Sequence, residues 1–164
     1  LPQPGKADSV SVAKTAEASV ALDWVLASLH HLAVFALAGV LAYELAATAG
    51  PVDAAAVKRL AAVDAGYGAL AALVLAAGLA RVFLGAKGAA YYGANSLFWA
   101  KMAAFAAAGA LSAYPTLQYL RWRRGAQGAP PRAVARVRRV LWLEIALFAT
   151  LAVLAAGMAR GYGA

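Results

Sequence analysis

The sequence predicts an all-α fold, an integral membrane four-helix bundle, and three observations carry that prediction. Of the 164 residues, 64% are hydrophobic and the mean hydropathy is +0.69, against roughly 45–50% apolar content in soluble globular domains. Four apolar stretches each approach the roughly 20 residues that a helix needs to cross a hydrocarbon core about 30 Å thick. Segments such as Leu70 to Ala80 and Ile145 to Met158 are apolar all round, whereas a helix of a soluble bundle keeps a polar stripe.

The elements follow in order. Residues 1–21 mix Lys6, Asp8, Lys14 and Glu17 with Ser and Pro and read as a flexible N-terminal tail. The start at Leu1 rather than Met is compatible with removal of a leader. Residues 22–164 form the membrane domain, with spans expected at about 24–47, 67–84, 97–119 and 140–159. Leu, Val and Phe supply most of the insertion energy, because alanine alone is weakly hydrophobic. Gly50-Pro51 breaks the chain after the first span, and Val52 to Val63 is expected to lie as a short helix at the interface, carrying Asp53, Lys58 and Arg59. The second connection, Gly85 to Ser96, is glycine-rich, with Asn95 or Ser96 placed to cap the third span. The third carries Arg121, Arg123 and Arg124, then Gly125, Gly128, Pro130 and Pro131. Arg132, Arg136, Arg138 and Arg139 continue it into the base of the fourth span.

Charge sets the expected orientation. The net charge of +8 would suggest nucleic acid in a soluble protein, but in a membrane chain it reports topology first. Lys58, Arg59 and the seven arginines of the third connection lie on one side of four alternating spans. That side is expected to be cytoplasmic, matrix-like or stromal, with both termini on the non-cytoplasmic (lumenal or periplasmic) face. Trp24 and Trp99 are expected at the terminal-side interface, and Trp122 and Trp142 at the basic side. The expected partners are therefore membrane lipids, anionic ones included, together with a homo-oligomer or a larger membrane complex, and no nucleic acid.

Several chemistries are excluded. No cysteine is present, so there is no disulfide, thiol nucleophile, thiolate zinc site or cysteine-held iron–sulfur cluster. Two histidines are too few for an all-histidine cage. No GxxxxGK[ST] loop occurs, and no Ser-His-Asp set with a general base is apparent. A transporter reading lacks inverted repeats and broken helices.

Ionisable residues within a span are expensive and mark functional candidates. His30 and His31 lie roughly 10 Å inside the terminal-side boundary, counted from Asp23 at 1.5 Å per residue. Arg81 leaves the second span on that side, and Lys101 lies about a turn into the third. Glu44, Asp64 and Glu144 fall near the basic side, on the order of 20 Å from the histidines, so no acid is expected to neutralise the cations. These acids are instead expected to pair with Lys58, Arg59 or the arginine-rich connection, with a proton pathway as the alternative. A cationic cluster without a carboxylate calls for neutral histidines or an anionic guest. Haem b or a related tetrapyrrole meets both needs: one of His30 and His31 ligates the metal, the haem iron, and Arg81 and Lys101 complete the cofactor-binding set by taking the propionates. Neighbouring positions on a helix point about 100° apart, so the two histidines cannot serve one iron together. A histidine bonded to a neighbouring helix, with Arg81 and Lys101 snorkelling to phosphates, is the other reading of the same residues.

Three segments carry a resemblance. Leu29-His-His-Leu-Ala-Val-Phe-Ala-Leu-Ala-Gly-Val-Leu-Ala-Tyr-Glu44, Asp64-Ala-Gly-Tyr-Gly68 and Arg81-Val-Phe-Leu-Gly-Ala-Lys-Gly-Ala-Ala-Tyr-Tyr92, continued by Leu97-Phe-Trp-Ala-Lys-Met102, resemble a family of uncharacterised four-span membrane proteins from bacteria and plastids. The match runs from about Trp24 to Arg124 and more loosely through the fourth span. It implies four spans in a bacterial inner membrane or a plastid membrane, thylakoid or inner envelope. A more distant resemblance, to the haem-binding membrane protoporphyrinogen oxidases, places His30 or His31 and Trp99-Ala-Lys101 at that family's histidine and Trp-x-x-Lys-like segment, one residue shorter here. It implies tetrapyrrole binding, with electron transfer or tetrapyrrole oxidation as the activity; whether the chain is an enzyme stays open. The alternative expectation is a non-catalytic accessory subunit of a respiratory, photosynthetic or translocation complex, packed through its small-residue-rich helices.

Overall fold

A computed structural model describes residues 6–85, 87–125 and 128–163. Five helices follow one another: α1 (Lys6–Ala47), α2 (Ala54–Leu84), the short α3 (Gly88–Ala94), α4 (Ser96–Arg124) and α5 (Pro131–Ala159). Four of them contain stretches long and apolar enough to cross a membrane: Glu17–Ala47, Ala54–Leu84, Ser96–Arg124 and Pro131–Ala159. The all-helical, four-span expectation is met.

The helices are longer than the apolar stretches that announced them. The segment read as a flexible tail is helical from Lys6 and joins α1 without a break, since Ala, Lys and Glu are strong helix formers. The separate interfacial helix expected over Val52 to Val63 does not form. α2 runs through it from its cap at Asp53, whose Oδ1 accepts from the Ala56 amide at 2.7 Å, and Gly66 and Gly68 cost too little to stop a helix packed on both sides. Likewise the connection 85–96 contains α3. Asn95, rather than Ser96, caps α4.

Two helical hairpins, α1–α2 and α4–α5, make up the bundle. α2 packs on α4 and α1 packs on α5, which places the four long helices in a square with α1 and α4, and α2 and α5, at opposite corners. The packed core lies toward the basic end, where Leu41, Val57, Leu60, Tyr119, Val137 and Leu141 are almost wholly buried. Trp122 belongs to this core: it is 8% exposed and packs edge-on against Tyr119 at 5.6 Å. That corrects its expected place in an aromatic belt. Trp24, Trp99 and Trp142 are exposed.

The two basic-side connections are tied together by the Ala129 amide, which donates to the Val52 carbonyl at 2.8 Å. Gly128 permits this approach, because a Cβ there would lie 2.8 Å from that oxygen. At the other end the C-terminal turn docks on the start of α4. The Ser96 amide donates to Gly163 O at 2.8 Å, and Asn95 Nδ2 donates to Tyr162 O at 3.0 Å. Asn95 is fully buried, and its Oδ1 accepts from the Phe98 amide at 3.1 Å. Asn95→Ala removes a cap and a buried donor together. It should lower stability by about 1–2 kcal/mol, measured as a lowered unfolding midpoint in detergent.

Candidate functional site

Two polar layers interrupt the apolar bundle, one toward each end. The terminal-side layer brings together the residues singled out from the sequence. His30 on α1 is half-buried against α2, and its Nδ1–H donates to the Val74 carbonyl at 3.1 Å. Glycine at position 78 makes room for the ring: a Cβ there would stand 3.3 Å from His30 Cε1. Since Nδ1 is engaged, Nε2 is the nitrogen left to act as an acceptor or ligand. His31 points elsewhere. It is exposed, and its Nδ1–H donates to Ala27 O, one turn back, at 2.7 Å. The two rings meet edge-on at 5.9 Å, as adjacent helical positions require.

Arg81 on α2 and Lys101 on α4 lie within electrostatic range of His30 and of each other. Three helices therefore converge on one cationic site, as the depth argument anticipated. One expectation is corrected. Asp23 stands 3.9 Å from Arg81 Nε, so the cluster does have an acid beside it, brought there because α1 and α2 run antiparallel and in register. That ion pair is long and part-exposed, a class worth little. Arg81 Nε is buried without a hydrogen bond, and no hydrogen bond or ion pair joins the Lys101 ammonium to another described residue.

The basic-side layer departs further from expectation. Glu44 on α1 and Glu144 on α5 are each 2% exposed, and Asp64 on α2 is 7% exposed. None of them pairs with Lys58, Arg59 or the arginine-rich connection: among the described residues the sole ion pair is Asp23–Arg81. Their partners are hydroxyls. Tyr67 OH donates to Glu144 Oε2 at 3.3 Å, Tyr119 OH to Glu44 Oε2 at 3.5 Å, and Thr116 Oγ1 stands 2.9 Å from Asp64 Oδ1. The first joins α2 to α5 and the second joins α1 to α4, so both cross the diagonals of the square. The reason for the failed pairing lies in depth. Asp64 follows Arg59 by five residues, Glu144 follows Arg139 by five, and Thr116 precedes Arg121 by five, which puts these polar groups about 7.5 Å inside the cations of α2, α5 and α4, while α1, which carries Glu44, ends without a basic residue. The cations point to water. Arg138 instead donates to the Leu45 carbonyl at 2.7 Å. Sequence reasoning placed the acids near the basic end but missed the hydroxyls. The signal was available in Tyr67 and Thr116, at helical spacing from Asp64 and from Tyr119.

A family model described as "Predicted membrane protein (DUF2214)" matches residues 22–163. The chain belongs to this family. No curated protein and no solved structure matches it. The family description agrees with a membrane-spanning chain and assigns no activity.

Thr116→Val keeps the shape of the side chain while removing the hydroxyl that, alone among the described residues, bonds Asp64. It should cost about 1–3 kcal/mol of stability, read as a lowered unfolding midpoint, and Thr116→Ser should restore most of it.

Proposed function

We propose that this DUF2214 member binds a b-type haem or related tetrapyrrole at the terminal-side layer, on the non-cytoplasmic face, and serves electron transfer or tetrapyrrole oxidation. The observation that supports the reading best is the setting of His30: a membrane-embedded imidazole oriented through Nδ1 by a backbone carbonyl, with two cations from two other helices beside it. A ligating histidine ordinarily gives its other ring nitrogen to such an acceptor. The donor set fits the group. His30 Nε2 would hold the iron, and Arg81 Nε, an orphaned buried donor, and Lys101 would hold carboxylates. Bound iron would supply one-electron chemistry.

The chain's own residues then have defined parts. Val74 and Gly78 fix the ring plane, Asp23 leaves the Arg81 charge largely uncompensated because their pair is long and part-exposed, and the mutual repulsion of Arg81 and Lys101 makes an anionic ligand a net gain at this spot. His31, facing outward, is not needed for ligation. The positive-inside rule supports placing this layer away from the cytoplasmic or stromal compartment.

Expression with adequate haem supply should give a purified protein with a Soret band. His30→Ala should abolish the band, His31→Ala should retain it, and Arg81→Gln or Lys101→Gln should weaken haem retention. No band in the wild type, before or after added haem, would overturn the reading.

A second reading, an accessory subunit of a larger membrane complex, is favoured by α4, whose most apolar stretch has no buried residue. It predicts co-migration with larger partners after gentle solubilisation from the native membrane. Migration as a monomer or small homo-oligomer would count against it.

A further inference from the structure

We propose that the basic-side layer is a protonation site, in which Glu44, Asp64 and Glu144 hold exchangeable protons within the membrane, loaded from the side of the arginine-rich connections. The inference is independent of haem binding, which concerns the other end of the bundle. His30 and Glu44 are fourteen residues apart on α1, roughly 21 Å.

Charge arithmetic comes first. Three carboxylates lie in one layer, near enough for Glu44 to feel both Asp64 and Glu144, and no cation pairs with any of them among the described residues. In a dry interior three such charges cannot all persist unpaired, so protons or a bound cation must neutralise most of them. The groups facing the layer are known from each helix. α1 brings Glu44, α2 brings Asp64 and Tyr67, α4 brings Thr116 and Tyr119, and α5 brings Glu144. Lys58, Arg59, Arg121, Arg138 and Arg139 stand nearer the loops.

Two further observations favour protons. Glu44 Oε1 and Glu144 Oε1 are buried with no hydrogen-bond partner among the described residues, so each is an unpaired acceptor on a residue only 2% exposed. Thr116 supplies the second. Its Oγ1 stands 2.9 Å from Asp64 Oδ1 and 3.0 Å from the Ser112 carbonyl. With Asp64 ionised, two acceptors compete for one hydroxyl hydrogen. A proton on Asp64 resolves this: its O–H donates to Thr116 Oγ1, which donates in turn to Ser112 O. A metal ion fits less well, because the described acids form no group of three able to hold one.

Loading is a transfer of one proton from water at the basic end to a carboxylate oxygen, with no bond broken beyond that of the donor water or hydronium. The test is infrared spectroscopy of the intact chain in lipid at neutral pH. The wild type should show the carbonyl stretch of a protonated carboxylic acid, and this band should shift on transfer to deuterium oxide. Glu44→Gln and Glu144→Gln should each remove part of it, and the combined Glu44→Gln, Asp64→Asn, Glu144→Gln chain should lose it. Absence of the band in the wild type would overturn the proposal, as would failure to exchange with deuterium or persistence in the triple variant. A band that disappears when sodium replaces a bulky organic cation at constant ionic strength would overturn it in favour of a metal-cation site. The wild-type measurements decide the matter even if a variant fails to fold.

Discussion

The fold depends on a polar layer that a membrane bundle would be expected to avoid. Lipid offers no hydrophobic reward for bringing helices together, so association rests on close packing and on bonds between polar side chains. In this chain alanine supplies the close approach but little interlocking shape. What sets the helices at one mutual height is the layer in which Tyr67 reaches Glu144 and Tyr119 reaches Glu44. Each bond spans a diagonal that backbone packing leaves unbridged. A slip of α5 along its axis by one residue would move Glu144 by about 1.5 Å and lose the Tyr67 bond.

The same layer makes the two ends of the molecule unlike. The hydrogen bonds described between the α1–α2 hairpin and the α4–α5 hairpin all lie in the basic half: Thr116 with Asp64, the two tyrosine bonds, Arg138 with Leu45, and the loop tie between Ala129 and Val52. In the terminal half Asp23 with Arg81 and His30 with Val74 are contacts within a hairpin, and the connection through α3 reaches α5 where Tyr91 OH donates to the Met158 carbonyl at 3.2 Å. Across the seam Arg81 and Lys101 repel. The proposed ligand site thus lies where no described side-chain hydrogen bond joins α1 or α2 directly to α4 or α5, and where an anion has most to offer.

The four spans and their order were legible in the sequence because a long apolar run admits few alternatives in lipid. So was the convergence of His30, Arg81 and Lys101, since depth along a helix follows from residue count alone. Helix ends were not legible: the basic stretches read as connections are helical turns, because Arg, Lys and Ala propagate a helix past the hydrocarbon edge. The partners of the acids were misread for a different reason. Counting gives height but not azimuth, and Glu44, Asp64 and Glu144 turn inward toward hydroxyls while their nearest cations turn outward. Asp23 was missed as a neighbour of Arg81 because it was counted as the start of a span rather than as a side chain facing α2.

The tie between the two basic-side connections has a mechanical meaning. Ala129 and Val52 join the hairpins at one extremity, next to the densest part of the core, and the 29-residue helices α4 and α5 extend from there for about 43 Å. Such a shape is a lever with its fulcrum at the loops. A relative tilt of roughly 5° about that fulcrum, smaller than the scatter in ordinary helix crossing angles, carries the far ends apart by about 4 Å. The packing of the two hairpins beside His30 is accordingly sensitive to contacts at the opposite end of the bundle.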